Sequence, residues 1–248
     1  AIKPTYDKEI SELSERKKQE NQDSPESSDR FYYTRKIKEE RYSIDKQAMR
    51  PYFAYEKVKN GILEIYAELF QLDIIPLSNE PVWHPSVEAY EVFSNGEKIA
   101  QFYLDMHPRE NKFGHAAMFN IQTGLSTGRL PSASLVCNFP NPAEGDGKAL
   151  MEHSDVVTFF HEFGHLIHHL LARKSKWISL AGINVEWDFV EAPSQLLEEW
   201  AWNPKILQRF AKHVVTGEEI PADLTQTAFA EEYGPEGVRE TQSATKWK

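Results

Sequence analysis

The segment from about residue 150 to 172 constrains the fold of this chain more than any other part of the sequence. Apolar residues recur there at steps of three and four, at Val156, Phe160, Phe163, Ile167 and Leu170. This spacing predicts an α-helix with one apolar stripe, because an α-helix has about 3.6 residues per turn. Such a helix is stable mainly when its stripe is buried, so the chain must also supply a core for it to pack against.

The same segment contains the sequence His161-Glu162-Phe163-Gly164-His165. Residues four apart in a helix differ by about 40° around the axis and about 6 Å along it, so the two imidazoles can reach one metal ion. Glu162 is rotated by about 100° from His161 and can therefore accept a proton from a metal-bound water. The motif predicts a zinc site with His161 and His165 as ligands and Glu162 as the general base.

The alternative interpretation is an ordinary helix whose histidines are exposed or hydrogen-bonded in the core. The chain has nine histidines. In a chain of this length and composition, the pattern H-E-x-x-H arises by chance on the order of once in a hundred. Because the motif also lies inside an independently predicted helix, the metal site is the favoured interpretation.

A third protein ligand is expected downstream, because catalytic zinc sites commonly combine two histidines, one carboxylate and an open position. Glu191 is the best candidate, near the start of a second helix predicted from about residue 190 to 212. Pro193 supports this start, since proline is tolerated in the first turn of a helix. Spacing alone leaves the choice open, because other acidic residues are nearby, namely Glu186, Glu198 and Glu199.

Two further polar residues lie close to the predicted ligands. Glu198 follows Glu191 by seven residues, on the same face of the second helix, and is expected either to orient a ligand histidine or to be a solvated charge. His168 follows His165 by three residues and is expected either to have a structural role or to support a ligand from beside the site, rather than to bind the metal.

The rest of the chain predicts a mainly α fold of the α+β class, with a small antiparallel sheet ahead of the H-E-x-x-H helix. Apolar side chains recur at helical spacing over residues 53–70, which predicts a further helix. Alternation on both sides of Asn95-Gly96 predicts a β-hairpin. With the apolar run Ser134–Phe139, the sheet is expected between about residues 87 and 139.

Three regions are predicted along the chain. Residues 1–30 are polar and predict a frayed helix or a disordered arm. Residues 31–220 contain the predicted helices, sheet and metal site, and are expected to form the catalytic core. Residues 221–248 form a polar tail without an assigned structure.

Charge and composition exclude some classes of partner. Acidic residues outnumber basic ones by 38 to 28, and the net charge of -10 repels nucleic-acid phosphates. No apolar run approaches the roughly 20 residues that cross a bilayer, so no membrane partner is expected. A single cysteine, Cys137, excludes an internal disulfide and fits a reducing compartment such as the cytoplasm. The chain opens with Ala1 and lacks a signal-peptide pattern, which fits either a processed start or a shortened chain.

Two sequences around the predicted site resemble the thimet oligopeptidase and oligopeptidase A family of zinc metallopeptidases. They are F-H-E-F-G-H-L-I-H at Phe160–His168 and D-F-V-E-A-P-S-Q at Asp188–Gln195. Two stretches ahead of the predicted zinc helix also resemble that family, F-Y-L-D-M-H-P-R-E-N-K-F-G-H-A-A at Phe102–Ala117 and S-L-V-C-N-F at Ser134–Phe139. The resemblance covers about residues 31–220.

The resemblance implies a gluzincin-type endopeptidase with one zinc ion per chain, acting on short peptides through a metal-activated water. His161 and His165 match the family's histidine ligands, Glu162 its catalytic glutamate and Glu191 its third zinc ligand. The family fold is a mainly helical channel with zinc at its floor, and this implies a role in cytoplasmic peptide degradation. The strand near Ser134–Phe139 is expected to pair with the backbone of the substrate. Removal of C-terminal dipeptides is an alternative activity of the same chemistry.

Two parts of the family's chains have no counterpart in this sequence. They are the helical N-terminal half that walls the channel, and a downstream segment whose Tyr and His residues stabilise the oxyanion. The chain is therefore expected to be a fragment or a truncated variant, or to receive the missing parts from another polypeptide. The alternative function is a catalytically silent zinc-binding module that binds a peptide or a partner chain.

Overall fold

The computed structural model describes residues 3–20, 26–42, 46–145, 147–226 and 228–229. Contacts divide the chain into two units, Ala1–Lys46 with Gln226–Lys248, and Gln47–Thr225. Helices dominate both described parts and the strands form one small sheet, which confirms the predicted fold class. Within the described ranges, no helix has both the length and the apolarity that crossing a bilayer requires.

The first unit contains α1 (Lys3–Lys18) and α2 (Arg30–Tyr42). Two ion pairs connect α1 with the chain that follows it. Lys17 lies 2.5 Å from Asp29, the residue before α2, and Arg16 lies 2.7 Å from Glu40 on α2. The helical alternative predicted for the first 30 residues is thus observed over Lys3–Lys18. Most of the predicted polar tail, from residue 230 onward, lies outside the described residues.

The second unit begins with α3 (Tyr55–Phe70), which the apolar spacing predicts. Its inward face buries aromatic and aliphatic side chains, among them Tyr55, Val58, Ile62, Ile65 and Tyr66. Leu69, on the same predicted stripe, is 41% exposed because it lies in the last turn of the helix.

Five strands form one sheet in the order β1-β2-β3-β5-β4 in the part of the chain that the structure describes. They are β1 (Asp73–Leu77), β2 (Glu88–Ser94), β3 (Glu97–Asp105), β4 (Ala117–Gln122) and β5 (Ser132–Val136). The predicted hairpin is present between β2 and β3. Both turn residues have positive φ, 52° at Asn95 and 78° at Gly96, as a two-residue hairpin turn requires.

The small sheet is present as predicted, but it is mixed, because one strand pair is parallel where an antiparallel sheet was expected. β5 pairs parallel to β3 and antiparallel to β4. β4 follows β3 in the chain but is not its neighbour in the sheet. β5, which follows β4, lies between the two strands and pairs with both. Because β3 and β5 are separated by a reversing strand, they run in the same direction. Alternation along one strand does not reveal this insertion.

Helix α4 (His153–Leu171) is the helix that the apolar spacing predicts around the H-E-x-x-H motif. A reciprocal pair of hydrogen bonds between Glu152 and Asp155 caps its first turn. Phe163 points into the core, where its ring centroid lies 4.7 Å from that of Tyr66 and 5.8 Å from that of Phe102. α4 is therefore packed between α3 and the sheet, which holds the motif in one orientation.

The predicted second helix, residues 190–212, is interrupted. It consists of α5 (Ala192–Glu198), a 3₁₀ turn over Glu199–Trp202, and α6 (Pro204–Leu207). Asn203 is extended, with φ -86° and ψ 116°, because a following proline disfavours helical geometry. Its side chain then accepts a hydrogen bond from the Lys205 N–H and caps α6.

The Asp105 carboxylate, at the end of β3, is paired with Arg109 and Lys112. Burial acts to raise its pKa, but hydrogen bonds from Arg109, Trp83 and Lys112 lower the pKa from 3.8 to about 2. A carboxyl whose folded pKa is depressed stabilises the fold above its unfolded pKa and loses that contribution as pH falls toward the folded value. The contribution is on the order of 2 kcal/mol at neutral pH.

We expect Asp105→Asn to destabilise the fold at pH 7 by on the order of 2 kcal/mol or more, because Arg109 and Lys112 lose their counter-charge. The difference from wild type should shrink as pH falls from 4 toward 2, where the wild-type carboxyl itself takes up a proton. Urea unfolding of both proteins at pH 7, 4 and 3 measures this difference. A difference that is equal at all three pH values would contradict the assignment.

Candidate metal centre

Helix α4 places the two motif histidines side by side, with their Nε2 atoms 3.2 Å apart. Glu191, the residue before α5, brings its Oε2 to 3.2 Å from His161 Nε2 and 3.0 Å from His165 Nε2. The ligand atoms of these three residues all lie within 4.8 Å of one another. They form the one such group of His, Cys, Asp or Glu among the residues that the structure describes.

These distances fit a zinc ion. Ligands about 2.0–2.1 Å from a tetrahedral zinc ion lie about 3.3 Å from one another, close to the separations of 3.0 to 3.2 Å between the three atoms. The donor set, two imidazole nitrogens and one carboxylate oxygen, is a common one for zinc with an open fourth position. His161, His165 and Glu191 could therefore hold the ion, and of the acidic residues considered from spacing it is Glu191 that lies beside both histidines.

The protonation states of two of these residues suit a metal ligand. Burial is the main cause that lowers the pKa of His165, so its imidazole is neutral near pH 7. Burial acts to raise the pKa of Glu191, but the Ser194 hydroxyl and the two histidines lower the pKa below its ordinary value. Glu191 is therefore a carboxylate. A neutral imidazole and a carboxylate each offer the lone pair that a metal ion needs.

Glu198 contacts the site, which decides between the two alternatives left by the sequence. The Nδ1–H of His161 donates to Glu198 Oε2 at 2.7 Å, since a carboxylate can only accept. This hydrogen bond fixes the orientation of the ring and leaves Nε2 of His161 facing Glu191 and His165. Glu198 thus orients a histidine rather than being a solvated charge.

Glu162 has an environment that suits a proton acceptor. Burial raises its pKa, the charge of Glu191 raises the pKa further, and His161 lowers it. The backbone N–H of Met118, on β4, donates to the Glu162 carboxylate and also lowers its pKa. The net shift is upward, toward the range in which a carboxylate exchanges protons effectively near neutral pH.

The prediction that the strand near Ser134–Phe139 pairs with a substrate is wrong for the observed sheet. β5 is an interior strand, and its backbone pairs with β3 on one side and β4 on the other. Within the described residues, β4 is the edge strand next to α4, and no strand pairs with its outer side. The available edge beside Glu162 therefore belongs to β4.

Ser194 and Met118 are the site residues that sequence reasoning missed. Ser194 Oγ lies 2.8 Å from Glu191 Oε2, and its position three residues after Glu191 in a helical segment was a usable signal. Met118 contributes only a backbone N–H, and a contact of this kind cannot be predicted from the residue type. His168 lies outside the cluster, with its ring 6.5 Å from that of Phe189, consistent with the expected structural role.

Comparison with known proteins decides the family. The family model described as peptidase family M3 matches residues 1–246. The chain belongs to peptidase family M3.

Several curated proteins share substantial identity with the chain. Oligopeptidase A of Escherichia coli (strain K12) is 38% identical over 238 residues, which are 92% of this chain and 34% of the relative. Saccharolysin of Saccharomyces cerevisiae is 38% identical over 79% of this chain and 29% of its own length. Dipeptidyl carboxypeptidase of Salmonella typhimurium is 39% identical over 80% of this chain and 29% of its own length. The chain thus spans about a third of the length of the curated relatives that it matches.

Membership of family M3 confirms the resemblance to the oligopeptidase A family. The clustered residues His161, His165 and Glu191 lie within the matched region. The roles of the individual residues rest on the geometry given above.

Proposed function

We propose that this chain carries the zinc-binding core of a peptidase that hydrolyses short peptides. The observation that carries the proposal is that ligand atoms of His161 and His165 on α4, the helix that also bears Glu162, lie within 4.8 Å of a ligand atom of Glu191 at the start of α5. Membership of family M3 supports the reaction class. The names of the relatives, oligopeptidase A and saccharolysin among them, support peptides as the substrate class.

The proposed roles follow from the contacts of each side chain. A bound zinc ion supplies Lewis-acid polarisation of the scissile carbonyl and lowers the pKa of a nearby water. Glu162, with its raised pKa, accepts the proton of the attacking water and passes it to the leaving amine. Glu198 holds the ring of His161 in the orientation that the ligand set needs.

The edge strand β4 is the proposed binding strand for the peptide backbone. An extended peptide can add to a free strand edge through main-chain hydrogen bonds. β4 has its outer side free of strand pairing within the described residues, and its Met118 N–H already reaches Glu162. A peptide on this edge therefore lies beside the proposed general base.

Two finer assignments stay predictions. The relatives include both an oligopeptidase and a dipeptidyl carboxypeptidase, so their names do not choose between internal cleavage and removal of C-terminal dipeptides. A cytoplasmic location also stays a prediction. One relative from Arabidopsis thaliana is described as probably cytosolic and another as chloroplastic/mitochondrial.

The test is to measure zinc content and peptide turnover on one purified sample, before and after dialysis against a chelator. One zinc per chain is expected from the single described cluster. Turnover of a fluorogenic short peptide should disappear with the zinc and return when zinc is restored. A chain that binds no metal would overturn the proposal.

A second candidate function is a silent zinc-binding module that holds a peptide or a partner chain. The same three residues would serve it, because holding a metal ion does not require the general base Glu162. In the same experiment, zinc bound in equal amount without any turnover would select this module over the peptidase.

A further inference from the structure

Helix α5 lies unusually close to α4 at Gly164. A Cβ atom built on Gly164 would lie 2.9 Å from the Cα of Ser194, and real Cβ atoms essentially never approach another atom so closely. Ser194 is fully buried at this contact. The two helices can approach to this distance only because residue 164 has no side chain.

Glycine at position 164 lowers the intrinsic stability of helix α4. Gly164 lies in the middle of α4, where glycine is among the least favourable residues and alanine the most favourable. Its φ is not in the left-handed region, so the backbone of α4 does not require glycine. The close approach of α5 is therefore the structural feature that accounts for glycine at this position.

Ser194 connects this contact to the metal cluster. Its Oγ lies 2.8 Å from Glu191 Oε2 and 3.0 Å from the Glu191 backbone carbonyl. Glu191 Oε2 is the same atom that faces both His161 and His165 at 3.2 and 3.0 Å. The contact between Ser194 and Gly164 is therefore linked, through the hydrogen bond from Ser194, to the distance between the Glu191 carboxylate and the histidines.

We propose that Gly164 and Ser194 are positioning residues that set the reach of Glu191 to the metal ion. This inference rests on the metal site of the proposed function. An ordinary Cβ contact begins at 3.4 Å, so a side chain at residue 164 displaces α5 by about 0.5 Å. Metal–ligand distances are held to about ±0.2 Å. The displacement exceeds that tolerance.

The test is Gly164→Ala, with zinc affinity measured by competition with a chromophoric chelator and unfolding measured on the metal-free protein. We expect zinc affinity to fall by about 10- to 100-fold, the range seen when groups that orient metal ligands are removed. The free energy of unfolding of the metal-free protein should fall by less than the loss in zinc affinity, because the overpacking at Ser194 is partly offset by the higher helix propensity of alanine. The visible spectrum of the Co²⁺-loaded variant should also change, because the carboxylate no longer completes the same coordination geometry. Wild-type affinity and an unchanged Co²⁺ spectrum would overturn the inference.

Two further variants separate positioning from general packing. Ser194→Ala keeps the helix contact but removes the hydrogen bond to Glu191, and should lower zinc affinity several-fold even if Gly164→Ala folds poorly. Leu197→Ala truncates a buried neighbour on α5 without pushing the helices apart. It should lower the unfolding midpoint and leave the Co²⁺ spectrum unchanged.

If all three variants lose stability and affinity in parallel, the contact is merely structural and the inference fails. If the wild-type protein itself binds no zinc, the proposed function fails instead. The two failures are therefore distinguishable.

Discussion

Replacing Glu162 with glutamine is expected to abolish detectable peptide hydrolysis while zinc remains bound. General acid–base catalysis contributes about 10²- to 10⁴-fold, and glutamine cannot take up the proton of the attacking water. The amide has the size and shape of the carboxylate, and its oxygen can still accept the Met118 N–H that now reaches Glu162. The binding cluster, which does not include Glu162, should keep its geometry.

The measurement is kcat for a fluorogenic short peptide together with zinc content for wild type and Glu162→Gln. Glu97→Gln, on the exposed β2–β3 hairpin, is the matched control and should keep wild-type values for both. Turnover that survives in Glu162→Gln with zinc bound would remove Glu162 from the role of general base. Loss of zinc from the same variant would instead assign Glu162 a part in binding the ion.

Replacing His165 with alanine is expected to remove zinc binding at micromolar metal. Structural zinc sites gain about 10–16 kcal/mol from four ligands, so loss of one ligand should weaken binding on the order of a hundred- to a thousandfold. Glu198→Gln should have a smaller effect, about 10- to 100-fold, because it removes only the partner that orients His161.

His168→Ala is the matched control for this series, since His168 lies on the same helix but outside the cluster. Competition titration against a chelator ranks the three variants, with His165→Ala weakest, Glu198→Gln intermediate and His168→Ala near wild type. Equal affinities for His165→Ala and wild type would contradict the ligand set. A large loss in His168→Ala would show that the cluster extends further along α4.

Local sequence patterns predicted the elements whose geometry depends on neighbours in the chain. The apolar spacing around His161 predicted α4 to within a few residues, and Asn95-Gly96 predicted the hairpin between β2 and β3. The four-residue separation of His161 and His165 also needed only helix geometry. In each case the relevant distance is set by the backbone conformation of a single element.

The errors concern relations between elements. The helix expected over residues 190–212 ends early, because the residue before Pro204 takes an extended conformation. β5 was expected to offer a free edge, but it is inserted between β3 and β4. Strand order depends on how the chain crosses the sheet, and the alternation of side chains along one strand is the same at an edge and in the interior.

The sequence by itself predicted the candidate chemistry, namely two histidines and a glutamate at helical spacing in an apolar helix, and its resemblance to the oligopeptidase A family implied Glu191 as the third ligand. Spacing alone left the third ligand open among Glu191 and its acidic neighbours, and it left Glu198 with two alternative roles. Only the tertiary structure placed Glu191 beside both histidines and Glu198 against His161, because these contacts depend on how closely α5 approaches α4. That approach is set by the contact of Gly164 with Ser194, two residues far apart in the chain, and no local pattern encodes the distance between them.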